Sequence, residues 1–149
     1  MSSLLSGANP HMNRSILQKL ARLRIADARM LLRAGRYQGA YYLAGYAVEC
    51  ALKACIAKQT ARYDFPDRRR VEKSHTHDLA QLLDLSGLKA EFDKVTAVDR
   101  SLELSWSVAK DWSEASRYSL TISKAEAADL YSAVAGRKHG VLRWLTMRW

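Results

Sequence analysis

The residues whose types could most readily take part in catalysis lie between positions 68 and 77. Three consecutive arginines, Arg68, Arg69 and Arg70, precede His75 and His77 there. An arginine can stabilise the charge that develops on a phosphate in a transition state, and a histidine can move a proton near neutral pH. Together they could assist attack by an RNA 2′-hydroxyl group. Three arginines beside two histidines also produce such a spacing easily by chance, so we favour a solvated basic loop that contacts phosphates.

A second pair of candidates, Glu49 and Lys53, lies in the most apolar part of the chain. The two residues are four positions apart with the glutamate first, which places them on one stripe of a helix. Either they pair with each other, or they face Asp27 and a late arginine. With Arg117 they could line a nucleotide pocket, but we favour a structural charge network because buried charges must be paired.

The aromatic side chains leave two interpretations open. Tyr118 could stack on a base, or it could be a packed ring with its hydroxyl group hydrogen-bonded. Four tryptophans could form a dimer seam or belong to the core, with equal weight: Trp106, Trp112, Trp144 and Trp149.

Other chemistries have little support in the sequence. It contains no G-x-x-x-x-G-K-[ST], G-x-G-x-x-G, H-E-x-x-H, C-x-x-C or G-x-S-x-G motif. His75 and His77 have too few carboxylates or thiols nearby for a metal site, and His139 is isolated. Cys50 and Cys55 would point about 140° apart on a helix, so they neither bridge nor share a metal. We therefore expect no metal and no cofactor.

Length and composition indicate one ordinary domain. The chain has 149 residues, 48% hydrophobic and 26% charged, with 2 prolines and 7 glycines. This size fits a single domain, and the scarcity of proline and glycine favours long helices. We expect a domain over residues 13–149, preceded by a tag or a disordered N-terminus at residues 1–12.

The net charge of +9 is distributed unevenly. Residues 1–75 include 14 basic and 5 acidic residues, and residues 76–135 include 6 basic and 10 acidic residues. Residues 136–149 include 4 basic residues and no acidic one. Such asymmetry attracts polyanions or an acidic partner, and ordinary solubility charge is the alternative.

The sequence predicts no membrane segment. The most apolar stretch, residues 39–57, includes Glu49 and Lys53 and is built mainly of Ala, Tyr and Gly. The first twelve residues lack the basic and apolar regions of a signal peptide. Because Cys50 and Cys55 resemble buried, reduced thiols, we expect a cytoplasmic protein.

These residues must be positioned by helices, because apolar side chains recur at helical spacing and no segment alternates convincingly as a strand. Gly35 predicts the end of the first helix, and Ser123 with Glu126 predicts a capping box at the start of the last. We expect an all-α, up-and-down antiparallel bundle of about five helices. Their predicted ranges are 14–33, 37–59, 78–85, 88–109 and 124–149.

Residues 28–57 resemble the opening helical hairpin of the HEPN domain family, the "higher eukaryotes and prokaryotes nucleotide-binding" domains. The resemblance rests on the turn at 35–37, Gly-Arg-Tyr, and on Glu-x-x-x-Lys-Ala at 49–54. Two later pieces agree with the family pattern: His77-Asp78-Leu79 at a helix start, and Arg117-Tyr118. The order of the four pieces is more specific than any one of them.

The resemblance implies a helical bundle, commonly a homodimer, that acts in RNA or nucleotide binding. Many members are metal-independent ribonucleases or toxins paired with a minimal nucleotidyltransferase antitoxin. The nuclease members share an arginine followed, after four to six residues, by a histidine late in the bundle. After Arg117 those positions hold Ile122, Ser123 and Lys124, so the late motif is missing here.

A formal match to that motif occurs only in the loop, where Arg70 precedes both His75 and His77. We therefore expect an RNA- or nucleotide-binding module that is non-catalytic or weakly catalytic, using Lys53, Arg117 and the arginine loop on phosphates. The alternatives are a metal-independent ribonuclease toxin with Arg70 and a histidine, and an interaction protein that docks a nucleotidyltransferase partner.

Overall fold

A computed structural model describes residues 13–62 and 72–149, and these residues contain seven complete α-helices, one 3-10 helix and no strand. The helices are α1 Arg14–Arg33, α2 Tyr37–Arg62, α3 Leu79–Leu85, α4 Lys89–Thr96, α5 Arg100–Ala109, the 3-10 helix Glu114–Tyr118, α6 Lys124–Ala135 and α7 Val141–Thr146. The all-α fold predicted from the sequence is confirmed. The predicted N-terminal tag and the arginine loop lie outside the described residues.

The first two helices form a hairpin whose ends follow from local residues. The Asn13 side chain accepts a hydrogen bond from the Ile16 N–H and caps α1. Gly35 takes a positive φ of 76°, a conformation that glycine adopts without steric cost, and the chain reverses directly into α2. Both features agree with the predicted bounds of α1.

Helix α2 lies at the centre of the bundle. It contacts α1, α3, α6, α7 and the 3-10 helix. Its buried side chains cover almost every side of the helix, which explains the lack of a polar face in its sequence. They include Ala40, Ala44, Val48, Glu49, Ala51, Leu52, Ala54, Cys55 and Ile56.

The structure corrects the predicted number of helices, because two predicted helices are each broken in two. The segment expected at 88–109 ends at Thr96, and the Asp99 carboxylate then accepts from the Leu102 N–H and starts α5. The last predicted helix ends at Gly136, and α7 begins after Gly140. A capping side chain and two helix-weakening glycines are the local causes.

A close contact between Gly45 and Trp112 holds the 3-10 helix against α2. A Cβ atom at position 45 would lie 2.2 Å from the Trp112 ring, so only glycine admits this approach. Trp112, Trp144 and Trp149 are buried, which makes them core residues, and Trp106 packs against the same core. The contact between Gly45 and Trp112 fixes where the residues that follow Trp112 meet α2.

The end of the chain is fixed on α1. The Trp149 main-chain oxygen accepts hydrogen bonds from the Arg14 guanidinium and, at 2.9 Å, from the Gln18 amide. The Arg22 guanidinium lies 5.0 Å from the centre of the Trp149 ring. These contacts bring the region around α7 next to α1.

Candidate functional site

Glu49 is the centre of a charge cluster built on α2. Its side chain is buried, with the residue only 2% exposed, and its Oε2 atom accepts from the Lys53 ammonium group at 3.1 Å. Of the two arrangements expected from the sequence, the structure therefore shows Glu49 and Lys53 paired with each other. Asp27 instead pairs with Arg24 on its own helix, at 3.1 Å.

His77 connects this pair to a second element. Its Nδ1 atom lies 2.9 Å from Glu49 Oε2, and its Nε2 atom lies 3.1 Å from Glu114 Oε2. Carboxylate oxygens only accept, so both hydrogen bonds form at once when each ring nitrogen carries a proton. The row Lys53, Glu49, His77 and Glu114, called here the charge cluster, joins α2, the segment before α3 and the 3-10 helix.

Arg117 and Tyr118 lie on the 3-10 helix at the edge of the charge cluster. In a 3-10 helix the side chains of residues i and i+3 eclipse, which places Arg117 on the same side as Glu114. Hydrogen bonding to Tyr118 and then to Tyr42, together with the Glu114 charge, raises the pKa of the Arg117 guanidinium. Its guanidinium carbon lies 4.8 Å from the centre of the Tyr118 ring.

Of the two interpretations of Tyr118, the structure shows an exposed ring, because 73% of the residue is accessible. Arg117 is also exposed. The two side chains therefore form an exposed cation–π pair, while Lys53 and Glu49 are turned inward. An exposed ring beside a guanidinium is the combination on which a nucleic-acid base stacks.

Three buried polar atoms near this edge lack a protein partner. They are Glu49 Oε1, Trp112 Nε1 and Ser116 Oγ, and Trp144 Nε1 is the fourth such atom among residues 13–62 and 72–149. Buried polar atoms are usually hydrogen-bonded, because an unpaired one loses its hydration without compensation. The contact between α2 and the 3-10 helix therefore offers one free carboxylate acceptor, one N–H donor and one hydroxyl group to a water molecule or a ligand.

The interior side of Glu49 is apolar and poorly hydrated. Burial, followed by the Glu49 charge, raises the pKa of the Cys50 thiol to about 12. Burial also raises the pKa of Tyr46 to about 12, with Cys50 and Glu49 adding to the effect. Cys55 is likewise a free, buried thiol whose pKa burial raises to about 12. These groups remain protonated near neutral pH, so none of them forms a reactive centre.

The remaining predicted site residues do not join the charge cluster in the described parts of the chain. His75 is exposed, and its backbone N–H donates to the Glu72 carbonyl at 3.2 Å. Arg68, Arg69 and Arg70 lie outside the described residues, so the proposed pairing of Arg70 with a histidine stays a prediction.

Sequence reasoning missed Glu114, which completes the row at His77. The sequence did carry one local signal, because Ser113 caps the turn that begins at Glu114. The helix start after His77 is capped by Asp78, whose carboxylate accepts from the Gln81 N–H. His77 is thereby free to point across to α2.

The charge cluster is not arranged as a metal site. Its two carboxylates approach opposite nitrogens of the His77 ring, so they do not converge on one point. Over the described ranges, no group of three or more His, Cys, Asp or Glu residues could hold a metal ion. Within the same ranges, none of the helices combines the length and hydropathy needed to cross a bilayer.

Comparison with known proteins assigns the chain to a family. No curated protein and no solved structure matches the chain. The family model of the HEPN domain, however, matches residues 15–135, which include α1 from its second residue, α2 to α6 and all four members of the charge cluster. This match covers most of the chain and agrees with the helical architecture, and the chain therefore belongs to the HEPN domain family.

Proposed function

We propose that this HEPN domain is an RNA- or nucleotide-binding module that does not cleave its ligand. Arg117 and Tyr118 would provide the contact surface, with the arginine on a phosphate and the ring on a base. Lys53 is expected to act indirectly, by holding Glu49, rather than on a phosphate. The protein would work as a homodimer without a metal or a cofactor.

The observation that carries the proposal is the engagement of His77 at both ring nitrogens. A histidine that moves protons needs one nitrogen within reach of the reacting hydroxyl group. In this protein Glu49 occupies Nδ1 and Glu114 occupies Nε2, at 2.9 and 3.1 Å. Lys53 is likewise neutralised by Glu49. The exposed pair Arg117 and Tyr118 remains available for binding.

A salt titration of RNA binding tests the proposal. Single-stranded RNA should shift the mobility of the wild-type protein, and its affinity should fall with salt because phosphate contacts release counterions. Arg117→Ala should weaken binding and reduce the slope of log K against log salt by about one. Arg100→Ala is the matched control, because it removes an exposed arginine elsewhere on the surface. Equal effects of the two substitutions would contradict the assignment of Arg117.

A metal-independent ribonuclease is the second candidate, and the contact of Glu49 with Nδ1 of His77 is the one observation that favours it. The buried Glu49 holds Nδ1, which leaves Nε2 as the nitrogen that faces outward, where Glu114 covers it. A carboxylate on Nδ1 orients a catalytic imidazole in the same way in other enzymes. Incubation of total RNA in excess chelator should give discrete fragments that Glu114→Gln increases and His77→Ala abolishes. Intact RNA with the wild type and with both variants would rule out the ribonuclease and favour the binding module.

The third candidate is an interaction protein whose basic surface docks an acidic partner, such as a nucleotidyltransferase antitoxin. The net charge of +9 is consistent with this candidate. Neither cleavage nor a mobility shift, together with salt-sensitive co-purification of a protein encoded by a neighbouring gene, would favour it over the first two.

A further inference from the structure

Helix α1 carries an apolar stripe on its outer side. Ile16, Leu23 and Met30 are spaced seven residues apart and are 38%, 55% and 64% exposed. Residues seven apart drift by only about 20° around a straight helix, so the three side chains lie along one line about 21 Å long. Different residues of the same helix, which include Leu17 and Ala21, are buried in the bundle. Helix α1 therefore has two apolar faces, of which the bundle uses one.

The charged residues beside the apolar stripe are all cations. The exposed residues of α1 include Lys19, Arg22, Arg29 and Arg33 and no carboxylate. The described part of the chain provides no ion pair for Lys19, Arg29 or Arg33. Unpaired cations beside apolar side chains are complementary to a surface that is both acidic and apolar.

A hollow beside the apolar stripe extends this combination of charge and apolar surface. It encloses about 580 Å³ between α1, α6 and α7. Arg29, Met30 and Arg33 line it from α1, and Arg137 and Arg143 line it from the other side. Among the residues that the structure describes, no carboxylate lines the hollow. The apolar stripe and the hollow share Met30 and form one surface, called here the basic face.

A second copy of the chain does not complement the basic face. Two α1 helices packed along their apolar stripes would bring like charges together, which costs free energy. Helix α5 also exposes an apolar side chain, Leu104. The carboxylate next to it, Glu103, already pairs with Arg100 of the same helix at 3.5 Å. The complementary charge is therefore expected from a different protein.

We infer that the basic face docks an acidic amphipathic helix of another protein. Apolar residues seven apart and flanked by charges form the seam between two helices in coiled coils, and here Ile16, Leu23 and Met30 provide one side of that seam. Carboxylates of the partner helix would pair with Arg29 and Arg143, because a guanidinium binds a carboxylate through two parallel hydrogen bonds.

The shape and composition of the basic face favour a helix over other anionic partners. A nucleic acid would contact the cations and leave the apolar stripe unused, and a flat bilayer would leave the hollow unfilled. A helix with an apolar stripe and acidic flanks contacts both parts. This inference goes beyond the proposed function, because it uses none of the residues assigned to RNA binding there.

The test is fluorescence anisotropy of a labelled synthetic peptide of about three heptads, with leucine at the seam positions and glutamate beside them, titrated with the full chain. The peptide should bind with a micromolar Kd, and a scrambled peptide of the same composition should bind about ten-fold more weakly or less. Leu23→Glu and Arg29→Glu should each weaken binding about ten-fold or more, because each places a carboxylate against the glutamates of the peptide.

Two matched controls make the same changes at exposed positions outside the basic face. They are Leu104→Glu, at a leucine 51% exposed, and Lys110→Glu. Both should leave peptide binding within about two-fold, because salt screens a distant exposed charge. Circular dichroism should show the same helix content in all four variants, which separates a lost contact from a lost fold.

Other outcomes overturn the inference. Absence of peptide binding, or equal binding of the scrambled peptide, would leave only a general attraction for polyanions. Binding to phosphatidylserine vesicles that Leu23→Glu abolishes, without a preference for the heptad peptide, would make the basic face a membrane surface. A change from dimer to monomer in Leu23→Glu, measured by light scattering, would make it a contact between copies. RNA binding that depends on Arg117 but not on Leu23 leaves the proposed function intact whether or not the peptide binds, so the two proposals fail separately.

Discussion

Two carboxylate–histidine pairs, each made through Nδ1 of the ring, use the same chemistry in different surroundings. Nδ1 of His77 lies 2.9 Å from Glu49, and Nδ1 of His139 lies 3.2 Å from Asp99. Glu49 is buried on the central helix and also holds Lys53. Asp99 is on the surface, where it also accepts from the Leu102 N–H and caps α5.

The difference shows that burial, rather than the pair itself, decides what a carboxylate does. An exposed pair gains little, because water and salt screen it and ordering two side chains costs entropy. A buried carboxylate has lost its hydration, so each remaining partner becomes necessary. Glu49 therefore ties its own helix to the segment before α3, whereas Asp99 serves mainly to begin a helix.

Removal of the buried carboxylate should have the largest effect. Glu49→Ala leaves Lys53 and His77 without their shared acceptor, and it should lower the free energy of unfolding by about 3–5 kcal/mol. Urea unfolding followed by circular dichroism measures the loss. The Cys50 thiol, whose pKa of about 12 keeps it unreactive in the native protein, should label faster in the variant.

Glu49→Gln is the control for this loss, because it keeps the shape and one acceptor while removing the charge. We expect it to be more stable than Glu49→Ala and less stable than the wild type. An alanine variant as stable as the wild type would show that Lys53 and His77 do not need Glu49 as their shared acceptor.

Substitution of Gly45, which lets the 3-10 helix pack against α2, should have the next largest effect on stability. Gly45→Ala places a methyl group 2.2 Å from the Trp112 ring and must move the ring or the helix, at a cost of about 1–3 kcal/mol. Movement of the 3-10 helix would also separate Glu114 from His77. Tryptophan fluorescence follows movement of the Trp112 ring, and the urea midpoint measures the loss of stability. Gly39→Ala is the matched control, because its methyl group would meet only Leu31 side-chain atoms, at 3.0 Å or more.

Alanine substitutions of the two histidines allow a direct comparison of the buried and the exposed pair. His77→Ala removes one of the two hydrogen bonds to the buried Glu49 Oε2 atom, which should cost about 1.5–3 kcal/mol. His139→Ala removes an exposed contact and should change stability by less than about 0.5 kcal/mol. Thermal unfolding of both variants at neutral pH measures the difference. Equal losses would mean that burial of the carboxylate does not separate the two pairs.

Much of the fold could be predicted because its determinants are local. The spacing of apolar residues predicted α1, and the capping residues Ser123 and Glu126 correctly marked the start of α6. The pairing of Glu49 with Lys53 was also accessible, because residues four apart on a helix lie next to each other. Each of these features depends on a few residues that are close in sequence.

Contacts between distant segments could not be predicted in the same way. Glu114 reaches His77 only because Trp112 packs on Gly45, and nothing in the local sequence indicates that contact. The hollow between α1, α6 and α7 has the same origin, since Arg29 and Arg143, which both line it, are far apart in sequence. Tertiary packing decides these positions, and a single sequence does not reveal it.

The smallest expected effect is the loss at low pH of the stability that Asp99, the carboxylate of the exposed pair, contributes. The Leu102 N–H, and after it His139, holds the pKa of the Asp99 carboxyl group below its usual value. A carboxyl group whose pKa is lower in the folded than in the unfolded state stabilises the fold fully above its unfolded pKa of about 3.9. That contribution is lost as the pH falls through the folded value. Asp99→Asn keeps a capping side chain but does not titrate, so wild type and variant should differ at pH 6 and converge at pH 2 in urea unfolding. A difference that stays constant between these pH values would show that the cap, and not the charge, accounts for the contribution of Asp99.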